Sequence, residues 1–171
     1  MAMLDALAAP LGPMTDHTAR LAQQDRWVEE GGAALLEALI ALLAAPPTQL
    51  TYASRDDWMT LLVEITGTLG ARHPEVALPR LVPLLADASA RGAVLDVLGT
   101  VGDARALPAL TALVNDPSLP EPDLLHLAGA LGEIGGADAR ALLARLHAAV
   151  RPEQHALRRE IEIAEQMARR G

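Results

Sequence analysis

Five histidines are the side chains best suited to metal binding or proton transfer in this chain: His17, His73, His126, His147 and His155. No two of them are spaced as in H-E-x-x-H, which places two imidazoles on one helix face around a zinc ion. His126 and His147 could meet through folding, but a single hydrogen bond apiece is the plainer reading. The densest acidic cluster, Asp56-Asp57, follows Ser54. A serine cap with acids in the first turn of a helix explains that grouping without a metal. Serine and threonine hydroxyls lack the G-x-S-x-G turn that raises a nucleophile above a sheet. Glycines recur three apart, but they follow no strand, so they lack the setting in which glycine loops cradle phosphates. Gly31-Gly32 could nest an anion, although a break between helices is the simpler use. Cysteine is absent, which removes thiol nucleophiles, disulfides and thiolate-held metals. No catalytic, cofactor-binding or metal-binding residue is therefore assigned, and a non-enzymatic protein is expected.

The elements behind these residues follow from composition. The 171 residues are 51% hydrophobic but only 2% aromatic, with 34 Ala and 31 Leu. Small and medium aliphatic side chains that are strong helix formers suit closely packed helices. Strand formers are scarce. The chain is long enough to bury a sizeable core. Its net charge of -8 opposes nucleic acid and anionic membranes overall, although a local basic patch could still bind. All 14 basic residues are arginine. The N-terminal stretch MAMLDALAAPLG has no basic leader and carries Asp5, unlike a signal peptide. The longest apolar run, Ala33 to Ala45, is interrupted by Glu37 and stopped by Pro46-Pro47. It falls short of the roughly 20 residues that span a bilayer. A cytoplasmic protein without membrane association is expected.

Sliding the chain along itself exposes a repeat. Gly67, Gly99 and Gly132 fall in one column, at spacings of 32 and 33. Gly70, Gly102 and Gly135 fall in a second column at the same spacings. Leu62 to Gly70 therefore matches Val94 to Gly102 and Leu127 to Gly135. Each segment carries apolar residues at helical intervals, such as Val94, Leu95, Leu98 and Val101. The second column is expected to end each helix in the left-handed conformation. The first lies inside the helix, where glycine costs about 1 kcal/mol against alanine. Close approach of a neighbouring helix would justify that cost.

A second helix follows each stop. Asp103 and Asp138 are expected N-caps, and Pro74 opens the equivalent helix in the first copy. Their apolar stripes are Val76, Leu81, Leu84 and Leu85; Leu107, Leu110, Leu113 and Val114; and Leu142, Leu143, Leu146 and Val150. Turns such as Asn115-Asp116-Pro117 close the units. Thr15 to Glu30 and Ala33 to Ala44 read as two further helices, forming a degenerate unit over 15–47. Pro120-Glu121-Pro122-Asp123 opens the helix through Ile134. Pro152 to Arg170 reads as a charged terminal helix with a narrow apolar line, Leu157, Ile161, Ala164 and Ala168, suited to capping an array. Glu165 and Arg169 stand at a favourable i,i+4 spacing.

The run Leu98-Gly99-Thr100-Val101-Gly102-Asp103-Ala104-Arg105-Ala106-Leu107-Pro108-Ala109-Leu110 resembles HEAT repeats of the short bacterial type noted in phycobilisome lyases. Leu131-Gly132-Glu133-Ile134-Gly135 with Asp138-Ala139-Arg140-Ala141-Leu142 repeats it after a two-residue insertion. The resemblance covers 57–150 and weakens in the first copy, where Ala71-Arg72-His73-Pro74 replaces the Asp-x-Arg corner. It implies an armadillo-like array: all-α, a right-handed α-solenoid of about ten helices in four to five antiparallel pairs, one domain over 1–171. It also implies that Asp103 with Arg105 and Asp138 with Arg140 brace adjacent repeats, and that second helices line the concave side.

Three functions are open to such a fold. The first is a scaffold that binds a protein or peptide, with Arg80, Thr111, Arg145 and His147 as the binding residues that helix phase selects. The second is nucleic-acid binding through Arg80, Arg105, Arg140 and Arg145. The excess of acids and the distance of Trp27, Tyr52 and Trp58 from those arginines count against it; the two tryptophans suit core or edge packing better. The third is a lyase-like handling of a chromophore, for which the repeat itself supplies no reactive group. The scaffold is the expected function.

Overall fold

The computed structural model describes residues 25–46 and 55–169. Ser54 and the Asp57 side chain, and with them the expected cap and acidic pair, lie outside the described residues, as does most of the helix expected over 15–30. Among the described residues all regular structure is helical. A helical run over 25–30 precedes α1 (Gly32–Ala44), α2 (Arg55–Arg72), α3 (Pro74–Leu84) and α4 (Arg91–Val101). A short 3-10 turn, Ala104–Ala106, leads into α5 (Leu107–Val114), followed by α6 (Glu121–Ile134), α7 (Gly136–Ala149) and α8 (His155–Met167). None of these helices is long and apolar enough to cross a membrane.

The helices pack in two layers. In one, α2, α4, α6 and α8 lie side by side in that order. In the other, α1 packs on α3, α3 on the 3-10 turn, and α5 on α7. Leucine, isoleucine, valine and alanine from every helix fill the space between, from Leu36 and Leu39 to Leu157 and Ile161. Trp58 is buried at one end of this core, with Trp27 half-buried against it. The expected terminal line holds, since Leu157, Ile161, Ala164 and Ala168 are all buried.

The first glycine column lies where adjacent helices of the α2–α8 layer touch. A Cβ on Gly67 would fall 2.7 Å from the Thr100 side chain on α4. One on Gly99 would fall 3.0 Å from Cα of Ala130 on α6, and one on Gly132 only 2.8 Å from Cα of Ala164 on α8. Glycine is needed most at Gly132, where the nearest obstacle is backbone that cannot rotate aside; at Gly99 the Glu133 side chain lies nearer still, at 2.6 Å.

The second column divides. Gly102 (φ 67°, ψ 15°) ends its helix in the expected left-handed conformation, whereas Gly135 (φ 68°, ψ -163°) shares the positive φ but has an extended ψ. Gly70 has no positive φ: α2 continues through it to Arg72. Its missing side chain makes room for Val101, whose Cγ2 would lie 2.7 Å from a Cβ there. Three other expectations need correction. Asp103 caps the 3-10 turn by accepting the Arg105 backbone N–H, but Asp138 is the third residue of α7. The inserted Gly136 also adopts a positive φ and starts the helix two residues before Asp138. The last helix opens at His155 rather than Pro152, because Arg151 to Gln154 form a turn in which the Gln154 side chain accepts the Arg151 backbone N–H. Glu165 turns to His147 on α7, 3.3 Å away.

Candidate functional site

The four residues selected by helix phase sit on the layer formed by α1, α3, α5 and α7, but they do not converge. Arg80 on α3 donates to Glu37 on α1 at 3.2 Å, across an exposed contact. It borders a groove of about 360 Å³ between the two helices, whose other walls are Ile40, Ala41, Ala44 and Leu84. Thr111 on α5 turns its hydroxyl back to the Leu107 carbonyl, 2.8 Å away, as helical threonines often do. Arg145 on α7 reaches Asn115, at the end of α5, and so bridges two neighbouring helices of this layer. His147 faces the other way and pairs with Glu165 on α8. Arg80 and Arg145 thus each reach a neighbouring helix of this layer, whereas the His147 ring contacts α8 of the other layer.

A second groove, of about 310 Å³, opens at the C-terminal ends of α5 and α7. Val114, Leu124, Leu146 and Leu157 give it apolar walls, and Asp116 and Arg151 stand at its edge. Both volumes fall at the lower end of the range in which small ligands or side chains of a partner are held.

The corner residues act locally. Asp103 receives the Arg105 guanidinium at 3.0 and 2.6 Å as well as its backbone N–H. Those hydrogen bonds hold the Asp103 carboxyl below, and the Arg105 guanidinium above, their ordinary pKa ranges. The pair closes on itself rather than bracing the next unit, and Asp138 and Arg140 are both exposed. With Arg80 on Glu37 and Arg105 on Asp103, two of the four arginines considered for nucleic acid face carboxylates of the chain itself. Asp87 and Asp116 make a similar turn, each accepting the backbone N–H and hydroxyl of a serine two residues on, which lowers both carboxyl pKa values.

Further polar contacts between neighbouring helices lie in the other layer, and the expected residue set misses them. Arg91 on α4 donates to Asp123 on α6 at 2.6 Å and through Nε to the Leu85 carbonyl at 2.7 Å. Gln154 donates to Glu121 at 3.1 Å. His126 meets Asp96 at 2.7 Å. Arg91 and Asp123 stand 32 positions apart, and Glu121 and Gln154 stand 33 apart. A search for polar pairs at the glycine period would have found both. His126 and His147 engage different carboxylates, and among the described residues no three metal-ligating side chains gather.

Glu133 is exposed as a residue, yet its Oε2 lies over Gly99, only 2.6 Å from where a Cβ would be. Burial of that end and, next, the charge of Asp96 push its carboxyl pKa upward. A raised carboxyl pKa in the folded state means that ionisation opposes folding at neutral pH. Glu133→Gln is therefore expected to raise the urea midpoint at pH 7, with the gain shrinking as pH falls toward the ordinary carboxyl range. Urea titrations of both proteins at pH 7 and pH 5 check this.

No protein family, curated protein or solved structure matches the chain.

Proposed function

We propose that this chain is a small right-handed α-solenoid of HEAT-like repeats that binds a protein or peptide through the face carrying α1, α3, α5 and α7, and makes or breaks no bond. The observation that supports this reading best is the open groove between α1 and α3, with an aliphatic floor of Ile40, Ala41, Ala44 and Leu84 and a charged edge of Glu37 and Arg80. A second groove opens at the ends of α5 and α7, walled partly by Leu124 of α6 and Leu157 of α8. Behind them the helices of the α2–α8 layer close on one another at glycines, with a further groove beside α2 lined by Glu64, Ile65, Thr68 and Arg72. Grooves with apolar floors and polar rims suit recognition by shape. The grooves, rather than the direction in which the stack curves, define the binding face.

Binding on that face would depend on Arg80, at the edge of the α1–α3 groove, and on Arg145, which spans α5 and α7. The test is affinity capture from a lysate of the source organism, with wild-type protein, an Arg80→Glu/Arg145→Glu variant and an Arg159→Glu variant on exposed α8. The expected result is a protein retained by wild type and Arg159→Glu, and reduced at least tenfold on the double variant. Equal retention by all three, or a low-salt association with duplex or single-stranded nucleic acid that weakens steeply with salt, would overturn the reading.

A further inference from the structure

We infer that His126 is a proton-operated clasp joining α4 and α6, two adjacent helices of the α2–α8 layer. The ring of His126, on α6, lies over Gly92 of α4, where a Cβ would come within 3.1 Å of it. One turn further along α4, Asp96 takes its Nδ1 at 2.7 Å. Residues 92 and 96 are one helical turn apart, so the imidazole bridges that turn lengthwise: a glycine admits the ring and an aspartate holds it. A side chain at position 92 would press on the ring and shift it by a few tenths of an ångström.

The charges around it are lopsided. From α4 come Asp96 and Arg91. The α6 helix itself contributes Asp123, and α8 contributes Glu160. Arg91 is held by Asp123, with both side chains nearly buried. Asp96 is thus the carboxylate in contact with the imidazole, and it also repels Glu133; Asp123 and Glu160 add weaker attraction from further off. A protonated His126 answers the Asp96 carboxylate and ties α4 to α6. A neutral one keeps a hydrogen bond to Asp96 but leaves its charge uncompensated. In agreement with this geometry, the hydrogen bond to Asp96 raises the imidazole pKa, against the opposing effect of burial.

The sign follows by linkage. A histidine with a folded pKa above its unfolded value of about 6.5 stabilises fully below that value. The contribution is lost as pH rises through the folded pKa. Half-exposure of both side chains keeps the effect modest. Its significance lies in where it acts, since the clasp spans the contact that sets the spacing of repeats.

Two measurements on the full chain test the inference. The first is the urea midpoint between pH 5.5 and 8.5 for wild type and His126→Gln, which retains an uncharged donor to Asp96. The wild-type midpoint is expected to fall with rising pH relative to the variant, and the remaining histidines, including His147 with Glu165, cancel in the comparison. The second is the His126 ring-proton titration by NMR in wild type and Asp96→Asn. It should give a wild-type pKa above the free imidazole value and a lower one in the variant. This second readout survives even if His126→Gln fails to fold. Parallel urea profiles for the two proteins, or a His126 pKa at or below the free value, would overturn the clasp.

Discussion

Replacing Arg91 with alanine is expected to cost about 3–5 kcal/mol of stability, the cost of stranding one member of a buried ion pair. The guanidinium makes two contacts: Asp123 at 2.6 Å and the Leu85 carbonyl at 2.7 Å. Its side chain is 14% exposed and that of Asp123 12%. Without the arginine, the Asp123 carboxylate on α6 and the Leu85 carbonyl at the end of α3 are left with little water to receive them. The pair itself is another matter, because desolvating two charges consumes much of what their attraction provides. The double variant Arg91→Met/Asp123→Leu is therefore expected to be far more stable than Arg91→Ala, and the non-additivity should appear in a double-mutant cycle by urea denaturation. A loss below about 1 kcal/mol in Arg91→Ala would mean that the pair behaves like an ordinary surface bridge.

The second large effect concerns Gly132. Alanine in place of glycine inside a helix ordinarily gains up to about 1 kcal/mol. Here the added Cβ would stand 2.8 Å from Cα, 2.9 Å from Cβ and 3.1 Å from the carbonyl oxygen of Ala164. Two of those three atoms are backbone, so no rotamer change relieves the clash. The helices α6 and α8 must separate instead, opening the seam around buried Leu131 and Ile161. Overpacking of this kind costs about 1–3 kcal/mol, which outweighs the gain in helix propensity. Gly132→Ala should thus unfold at lower urea than wild type. A larger residue such as valine should lower the midpoint further.

How far the sequence foretells this structure depends on whether a residue's role is local or belongs to a contact. The glycines announce themselves because each of their uses forbids a side chain, and a periodic chain repeats the prohibition at fixed intervals. Gly102 ends its helix in the left-handed conformation for that reason, and Gly135 uses the same freedom for a positive φ with an extended ψ. Gly70 occupies the same column but serves packing, since His73 and Pro74 already supply the break between helices one turn later. Asp138 fails as a cap because two inserted positions let Gly136 begin the helix earlier. The surroundings of the residues chosen by helix phase are only half legible in the sequence. Helix phase tells which way Arg80 and Arg145 point, but not that Thr111 bonds its own backbone or that His147 has a partner on α8. Those outcomes depend on rotamers and on the rotation of neighbouring helices, which a single sequence does not encode visibly. The cross-helix pairs at spacings of 32 and 33 are the exception, because they inherit the period of the repeat.

Alanine substitution at Gly129 and at Gly132, three residues apart on α6, tests most directly whether adjacent helices truly meet at the glycine column. At Gly129 the nearest atom to an added Cβ is Oε1 of Glu160, 3.9 Å away, which is ordinary contact. Measured side by side by urea denaturation, Gly129→Ala should be more stable than wild type by up to about 1 kcal/mol, and Gly132→Ala less stable. Stabilisation by both substitutions would show that α6 and α8 do not approach as described, and the layered stack would lose its basis.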